Sequence, residues 1–337
     1  MKNKIFHINR KPLPGQHSIE NVFLTISSQL KVEGYKVVNY KSPLYSKGVL
    51  RRLINCLHVL SNKGGICHIV GDVTYLAVLM DKNRLIITIH DLHVFERNSG
   101  FAKLILGLFW YQIPVSKAKY ITVISQATKD KLIKFFRVTP SKVFVIPNPV
   151  SSGFYFKGRY PRPLKNRTIN VLQIGTKQNK NLPRALLALK NLSTKFDIKL
   201  TIIGEVVEQE LKEFRDAYEI FTRSNLCQEE IFHYYQQSDV LLFASTYEGF
   251  GMPIIEAQAV GTPVITSNIE PLVTVAGEGA LFVDPYRVSE ISSAVEQIIE
   301  APGLGIDLVE KGLENVKKYH KDSISSQYTA LYNLMEI

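Results

Sequence analysis

Short aliphatic and β-branched runs recur along the chain, and between them apolar residues return every three or four positions. The runs in the first half are Lys4-Ile-Phe-His-Ile8, Tyr35-Lys-Val-Val-Asn39, Ile66-Cys-His-Ile-Val70, Leu85-Ile-Ile-Thr-Ile89, Tyr120-Ile-Thr-Val-Ile124 and Val143-Phe-Val-Ile146. The intervening spacing predicts helices near 17–32, 72–81, 100–115 and 126–136. Such alternation is the habit of a parallel sheet with helices on both faces. Pro147-Asn-Pro149 interrupts it, because proline lacks an amide donor and restricts the residue before it.

The pattern then restarts. Ile169–Ile174, Ile198–Ile203, Val240–Phe243, Pro263–Thr266 and Ala280–Val283 read as strands, with helices expected near 181–193, 207–218, 228–238, 253–260 and 286–300. The expected organisation is an N-terminal Rossmann-like domain over 1–150, a turn-rich linker over 151–166 and a C-terminal Rossmann-like domain over 167–318. A terminal segment over 319–337 is helical by spacing, and either caps the second domain or crosses back to the first. In sheets of this kind ligands sit beyond the carboxyl ends of the strands. Two such sheets facing each other would put the working site in the cleft between domains.

Composition narrows the class. With 337 residues, 45% hydrophobic and 21% charged, the chain is expected to be soluble and globular. Its longest apolar runs fall short of the roughly 18 residues needed to cross a bilayer, and MKNKIFHINRK lacks the apolar core of a signal peptide. A cytoplasmic location is the expectation. Cys56, Cys67 and Cys227 show no CxxC spacing, which argues against a zinc site or a disulfide scaffold.

The charge is lopsided. Residues 1–150 hold 22 Lys and Arg against 7 Asp and Glu, net +15, whereas the remainder is net −4. A basic half is either a solvated surface or a field for an anionic partner, such as lipid headgroups on the inner face of a membrane or a diphosphate-linked substrate. Nucleic acid is not expected, because the aromatics are not interleaved with the basic residues in a stacking pattern.

Chemistry is expected where strands run into helices. Pro12-Leu-Pro-Gly-Gln-His-Ser-Ile-Glu20 places Gly15 in a turn before a helix, and Gly175-Thr-Lys-Gln-Asn-Lys-Asn181 gathers a glycine, Lys177 and Lys180 before another. Taken alone, each is most simply a turn. His90 and Asp91 end the apolar run from Leu85, where a lone histidine is more often structural than catalytic. The richest junction is STYEGFGMPIIE. Glu248 stands in the Glu-Gly-Phe-Gly turn after a strand, and Glu256 lies about one turn into the helix that Met252 and Pro253 open. Two carboxylates flanking helix amides suit a molecule with hydroxyls at both ends and a diphosphate between them. The alternative is a helix cap at Glu248 and a solvated Glu256.

STYEGFGMPIIEAQAVGTPVITSN resembles the E-x7-E signature of the retaining GT-B glycosyltransferases of glycosyltransferase family 4, the group 1 family. HSIENVF, HIVGDVTYLA, TIHDL, VISQATKDKL, VIPNPV, VLQIGTKQNKNL, LTIIGE and AGEGALFVDP are similar to that family's blocks, in its order. The resemblance implies a GT-B fold and a metal-independent, cofactor-free transfer of a hexose from a nucleotide-sugar, with retention at the anomeric carbon. The implied acceptor is a saccharide or lipid-linked saccharide of bacterial surface polysaccharide such as lipopolysaccharide.

By the same resemblance Glu256 would hold the donor ribose, Glu248 the transferred hexose and Lys180 the departing diphosphate. Phe250, Gly251 and Met252 would line the donor, together with Gly175, Thr176 and Lys177 of the second-domain turn. Gly15 would approach the phosphates, and His90 would contact the transferred sugar. The family commonly has Arg after the turn glycine, where this chain has Thr176 in a loop one residue shorter, so Lys177 is the candidate for the second positive charge. No isolated carboxylate stands as a nucleophile, which favours front-face transfer with the leaving phosphate deprotonating the acceptor.

Two rivals remain. A nicotinamide dehydrogenase would need GxGxxG after its first strand, where NRKPLPGQHS stands instead. A non-catalytic descendant binding an anionic partner such as nucleic acid would account for the charge but not for the pair Glu248 and Glu256.

Overall fold

The computed structural model describes residues 4–12, 18–60, 64–158, 160–161 and 168–335. They form two compact units, Met1–Ser151 with His320–Ile337, and Ser152–Tyr319.

The first unit is built on β1 (Lys4–Asn9), β2 (Lys36–Lys41), β3 (Ile66–Ile69), β4 (Leu85–Ile89), β5 (Tyr120–Val123) and β6 (Val143–Val145). All pair in parallel, in the order β2-β1-β3-β4-β5-β6. Every residue of β3 and β4 is buried, which explains why these strands read as unbroken apolar runs and not as alternation.

The second unit repeats the plan with β7 (Ile169–Ile174), β8 (Ile198–Ile203), β9 (Glu219–Arg223), β10 (Val240–Phe243), β11 (Val264–Ser267) and β12 (Leu281–Val283), ordered β12-β11-β10-β7-β8-β9. Its core gathers Val171, Leu200, Leu242 and Ile265 from the sheet, with Leu186 and Val295 from the covering helices Leu182–Leu192 and Val288–Glu300. Phe154, just after the boundary residue Ser152, is buried here with its ring edge-on to Phe232 and Tyr235.

The last helix, Lys321–Asn333, belongs to the first unit. Tyr332 is 1% exposed, and its hydroxyl lies 3.0 Å from His7 Nε2 and 2.7 Å from His68 Nδ1. His7 Nδ1 continues to Ser27 Oγ at 2.7 Å, and His68 Nε2 reaches Thr88 Oγ1 at 2.8 Å, which meets Thr122 Oγ1 at 2.6 Å. Every contact in this chain is satisfied when each ring carries one proton, as buried polar groups require. Burial holds His7 down at about 3 and His68 well below the ordinary imidazole value.

Several elements depart from the sequence expectation. Helix Val49–Val59 starts at Gly48 without a side-chain cap, so it lacks the usual start signal. Strand β9 has charged, exposed ends, and helix Pro302–Val316 is a further addition. The segment 72–81 forms a tight 3₁₀ turn over Thr74–Leu79 instead of an α-helix, and only Glu208–Leu211 of 207–218 is α-helical. The helix expected near 100–115 contains a π turn over Gly107–Gln112. Pro114 has no amide to offer the Trp110 carbonyl, which accepts instead from Thr74 Oγ1 at 2.6 Å.

Candidate active site

In the second sheet the chain passes from β7 outward through β8 and β9, then returns to β10 on the other side of β7. The carboxyl ends of β7 and β10 therefore flank the topological switch point, the position where open α/β sheets take ligands. Both lysine- and carboxylate-bearing junctions of the sequence meet there.

After β7 the backbone turns at Gly175, with φ +86°. A Cβ at that position would lie 2.9 Å from Lys180 Cε and Cγ, so glycine allows the Lys180 side chain to fold across the turn. Its ammonium reaches Glu248 Oε1 at 2.6 Å and sits 4.6 Å from the Phe243 ring centre at the end of β10. Lys180 and Glu248 are mostly shielded, with side chains 18% and 12% exposed. The two loops are also tied by one main-chain bond and one from a side chain. The Thr246 amide donates to Asn179 O at 2.8 Å, and Asn179 Nδ2 donates to Tyr247 O at 2.9 Å. Asn181, in the left-handed region at φ +59°, donates to Ala244 O and Pro285 O at 2.9 and 2.7 Å.

Gly251 is the N-cap of helix Met252–Val260 at φ +109°, where a Cβ would meet Leu272 Cδ2 at 2.7 Å. No side chain caps this helix, so Glu248 is not its cap. Glu256 is half-buried just past the first turn of this helix, and its Oε2 accepts from the Tyr235 hydroxyl at 3.0 Å. Tyr235 is fully buried; burial first, and then the Glu256 carboxylate, push its phenol well above the ordinary value. A tyrosine held protonated there is a fixed donor to the carboxylate. Phe250 is buried edge-on to Tyr319, so the turn offers backbone and not a ring to its surroundings.

Lys180, Gly175, Glu248, Phe250, Gly251, Met252 and Glu256 are thus gathered by two neighbouring strand ends and one helix. Thr176 turns aside to pack on Gly204, where a Cβ would come within 2.7 Å of its Cγ2. Lys177 is exposed, and its ammonium makes no ion pair among the described residues. Gly15 lies outside the described residues. His90 follows β4 in the first unit, 7% exposed, with Nε2–H donating to Val70 O at 2.8 Å and its ring edge-on to Phe23. Asp91 is occupied locally, its Oδ1 accepting from the His93 amide.

The sequence expectation overlooked Tyr235 and Asn181. Tyr235 stands beside Tyr234 in helix Gln228–Gln237, and nothing local separates the two. Asn181 was legible, since Asn before Leu-Pro at a helix start is a recognised turn signal.

Comparison with known proteins agrees with this geometry. The family model Glycosyltransferase Family 4 matches residues 19–153, and Glycosyl transferases group 1 matches residues 161–319. The O-antigen chain mannosyltransferase RfbU of Salmonella typhimurium is 26% identical over 248 residues, which cover 71% of this chain and 66% of that protein. The MMP alpha-(1->4)-mannosyltransferase of Mycolicibacterium hassiacum is 26% identical over 221 residues, covering 63% of this chain and 53% of that protein. The matches therefore span under two thirds of the length of either relative. Among solved structures, Anabaena HepE in complex with UDP and glucose superposes with a TM-score of 0.79 at 14% identity, covering 99% of this chain and 100% of that one. With the family 4 model on its first unit, the group 1 model on its second, and GT-B glycosyltransferases as its structural neighbours, the chain belongs to the family 4 (group 1) glycosyltransferases and has the GT-B fold.

Proposed function

We propose that this protein is a retaining, metal-independent glycosyltransferase that moves a hexose from a nucleoside-diphosphate sugar to a saccharide or lipid-linked saccharide in the synthesis of a bacterial surface polysaccharide. The observation that carries the reading is the Lys180–Glu248 pair at 2.6 Å, held at the switch point between β7 and β10. Relatives named for O-antigen chain and for capsular polysaccharide synthesis support the class of product. HepE, solved with UDP and glucose, supports the class of donor.

In this reading Lys180 supplies the positive charge that the departing diphosphate needs, in place of a divalent ion. A preorganised ammonium costs little reorganisation when charge develops on the leaving oxygen. Glu248 accepts from hydroxyls of the transferred hexose, and Glu256, braced by Tyr235, accepts from the ribose. The backbone of Phe250, Gly251 and Met252, with that of Gly175 and Thr176, lines the donor, and Lys177 adds long-range attraction for the phosphates. The bond from the anomeric carbon to the phosphate oxygen breaks as the bond to the acceptor oxygen forms on the same face. The acceptor proton passes to the departing phosphate.

Slow hydrolysis of a panel of UDP-, GDP- and ADP-hexoses tests the donor directly. One donor is expected to turn over well above the rest, at a rate that EDTA leaves unchanged. No turnover of any, or activity abolished by EDTA and restored by Mg²⁺ or Mn²⁺, would count against the reading.

A further inference from the structure

Helix Val49–Val59 is turned inside out. Its inward side presents Asn55, Cys56 and Val59, with Asn55 bonded to both backbone groups of Leu44 and to the Tyr75 hydroxyl. Its outward side carries Leu50, Leu53, Ile54 and Leu57, which are 71%, 54%, 41% and 64% exposed. That spacing of i, i+3, i+4 and i+7 is the stripe a helix normally buries. A second stripe with the same spacing stands beside it. Phe101, Leu104, Ile105 and Leu108 are 76%, 67%, 40% and 42% exposed.

The two stripes are joined. The Arg52 guanidinium stacks 4.4 Å from the ring centre of Trp110, which follows the second stripe, and Trp110 packs 5.3 Å from Tyr75. Scattered exposed apolar residues are ordinary, but two whole helix stripes side by side are not. The two segments that carry the stripes are themselves basic. Segment 41–60 contains Lys41, Lys47, Arg51 and Arg52, segment 98–119 contains Lys103, Lys117 and Lys119, and neither holds a single Asp or Glu.

We propose that this face docks the first unit on an anionic lipid bilayer. Apolar side chains of the stripes enter the boundary between headgroups and acyl chains, and the Lys and Arg beside them remain at phosphate depth. Charge favours this occupant over a second copy of the chain, because a two-fold contact would press the basic residues of these two acid-free segments against their equals. No helix among the described residues is long and apolar enough to cross a membrane, so attachment through this face is peripheral.

Co-sedimentation of the full chain with phosphatidylcholine vesicles containing 30% phosphatidylglycerol, against pure phosphatidylcholine, tests the proposal without reference to sugar transfer. Binding is expected to favour the anionic vesicles and to weaken at 0.5 M salt. Lys47→Gln with Arg51→Gln should lower partitioning by roughly 25-fold, given about one kcal/mol, or about fivefold, for each basic residue at such a surface. Leu53→Gln with Leu104→Gln should lower it by about tenfold or more. All four positions are surface sites, and circular dichroism and donor hydrolysis should be unchanged. Equal binding to neutral vesicles, or undiminished binding by the leucine pair, overturns the proposal. So does a dimer in sedimentation equilibrium that the leucine pair dissolves, since that assigns the face to another copy.

Discussion

Lys180 and Glu248 occupy one contact although 68 residues separate them in the chain. Removing either charge leaves the other inside a site where both are largely shielded, and removes a preorganised electrostatic contact. Glu248→Gln and Lys180→Ala are each expected to cut kcat by at least about a hundredfold with the fold intact, measured as donor turnover alongside circular dichroism. A near-normal rate in either variant would remove that residue from the reaction. Tyr235 acts one step away, through Glu256. Tyr235→Phe deletes one hydrogen bond worth about 1 kcal/mol, so donor KM should rise about fivefold while kcat stays within about twofold. A fall in kcat with unchanged KM would argue instead that Glu256 works at the reacting centre. At this scale the residue types and the spacing of Glu248 and Glu256 were legible in the sequence. The partner of each carboxylate was not, because Lys180 and Tyr235 approach only after distant strands and helices have packed.

Elements add what single residues do not explain. Helix Lys321–Asn333 buries Ile324, Tyr328, Leu331 and Tyr332 in the first unit, and bonds Glu33 through Ser325 and Thr329. Four large buried side chains represent about 6–12 kcal/mol of burial, comparable to the whole stability of an ordinary domain. A chain ending at Tyr319 should therefore fail to fold its first unit. Trp110, the single tryptophan and a first-unit residue, provides the readout: its emission should shift to the red and lose its cooperative urea transition. A native-like spectrum would show that the helix is an ornament. The periodicity of this helix was readable, yet its destination was not. Spacing shows that a helix has an apolar face without showing which surface that face meets.

For the whole molecule the basic first half and the buried histidines set the response to solution conditions. Folded His7 does not take up a proton until about pH 3, whereas the unfolded ring does so near the ordinary value of 6.5, and His68 is shifted in the same direction. The unfolded state thus binds more protons below pH 6.5, and stability rises with pH through that window. Stability of the first unit should be complete above pH 6.5 and decline as pH falls toward 3, with His7 alone costing about 2 kcal/mol by pH 5. Urea midpoints followed by Trp110 at pH 7.5 and pH 5 measure the slope, which His7→Gln should flatten even where it lowers stability overall. An unchanged slope in that variant would mean that other groups govern the acid response.

The amino-acid sequence by itself determined the alternation of strands and helices, the division into two similar halves and the junctions where a ligand belongs. Those properties follow from short-range periodicity and turn chemistry, which each segment carries along its own length. Only the tertiary structure decided that Lys180 grips Glu248, that the chain's last helix closes over His7 and His68, and that helix Val49–Val59 turns its leucines outward. Each of those outcomes depends on which surfaces compete for the same partner once the sheets have formed, and that competition is between residues far apart in the chain.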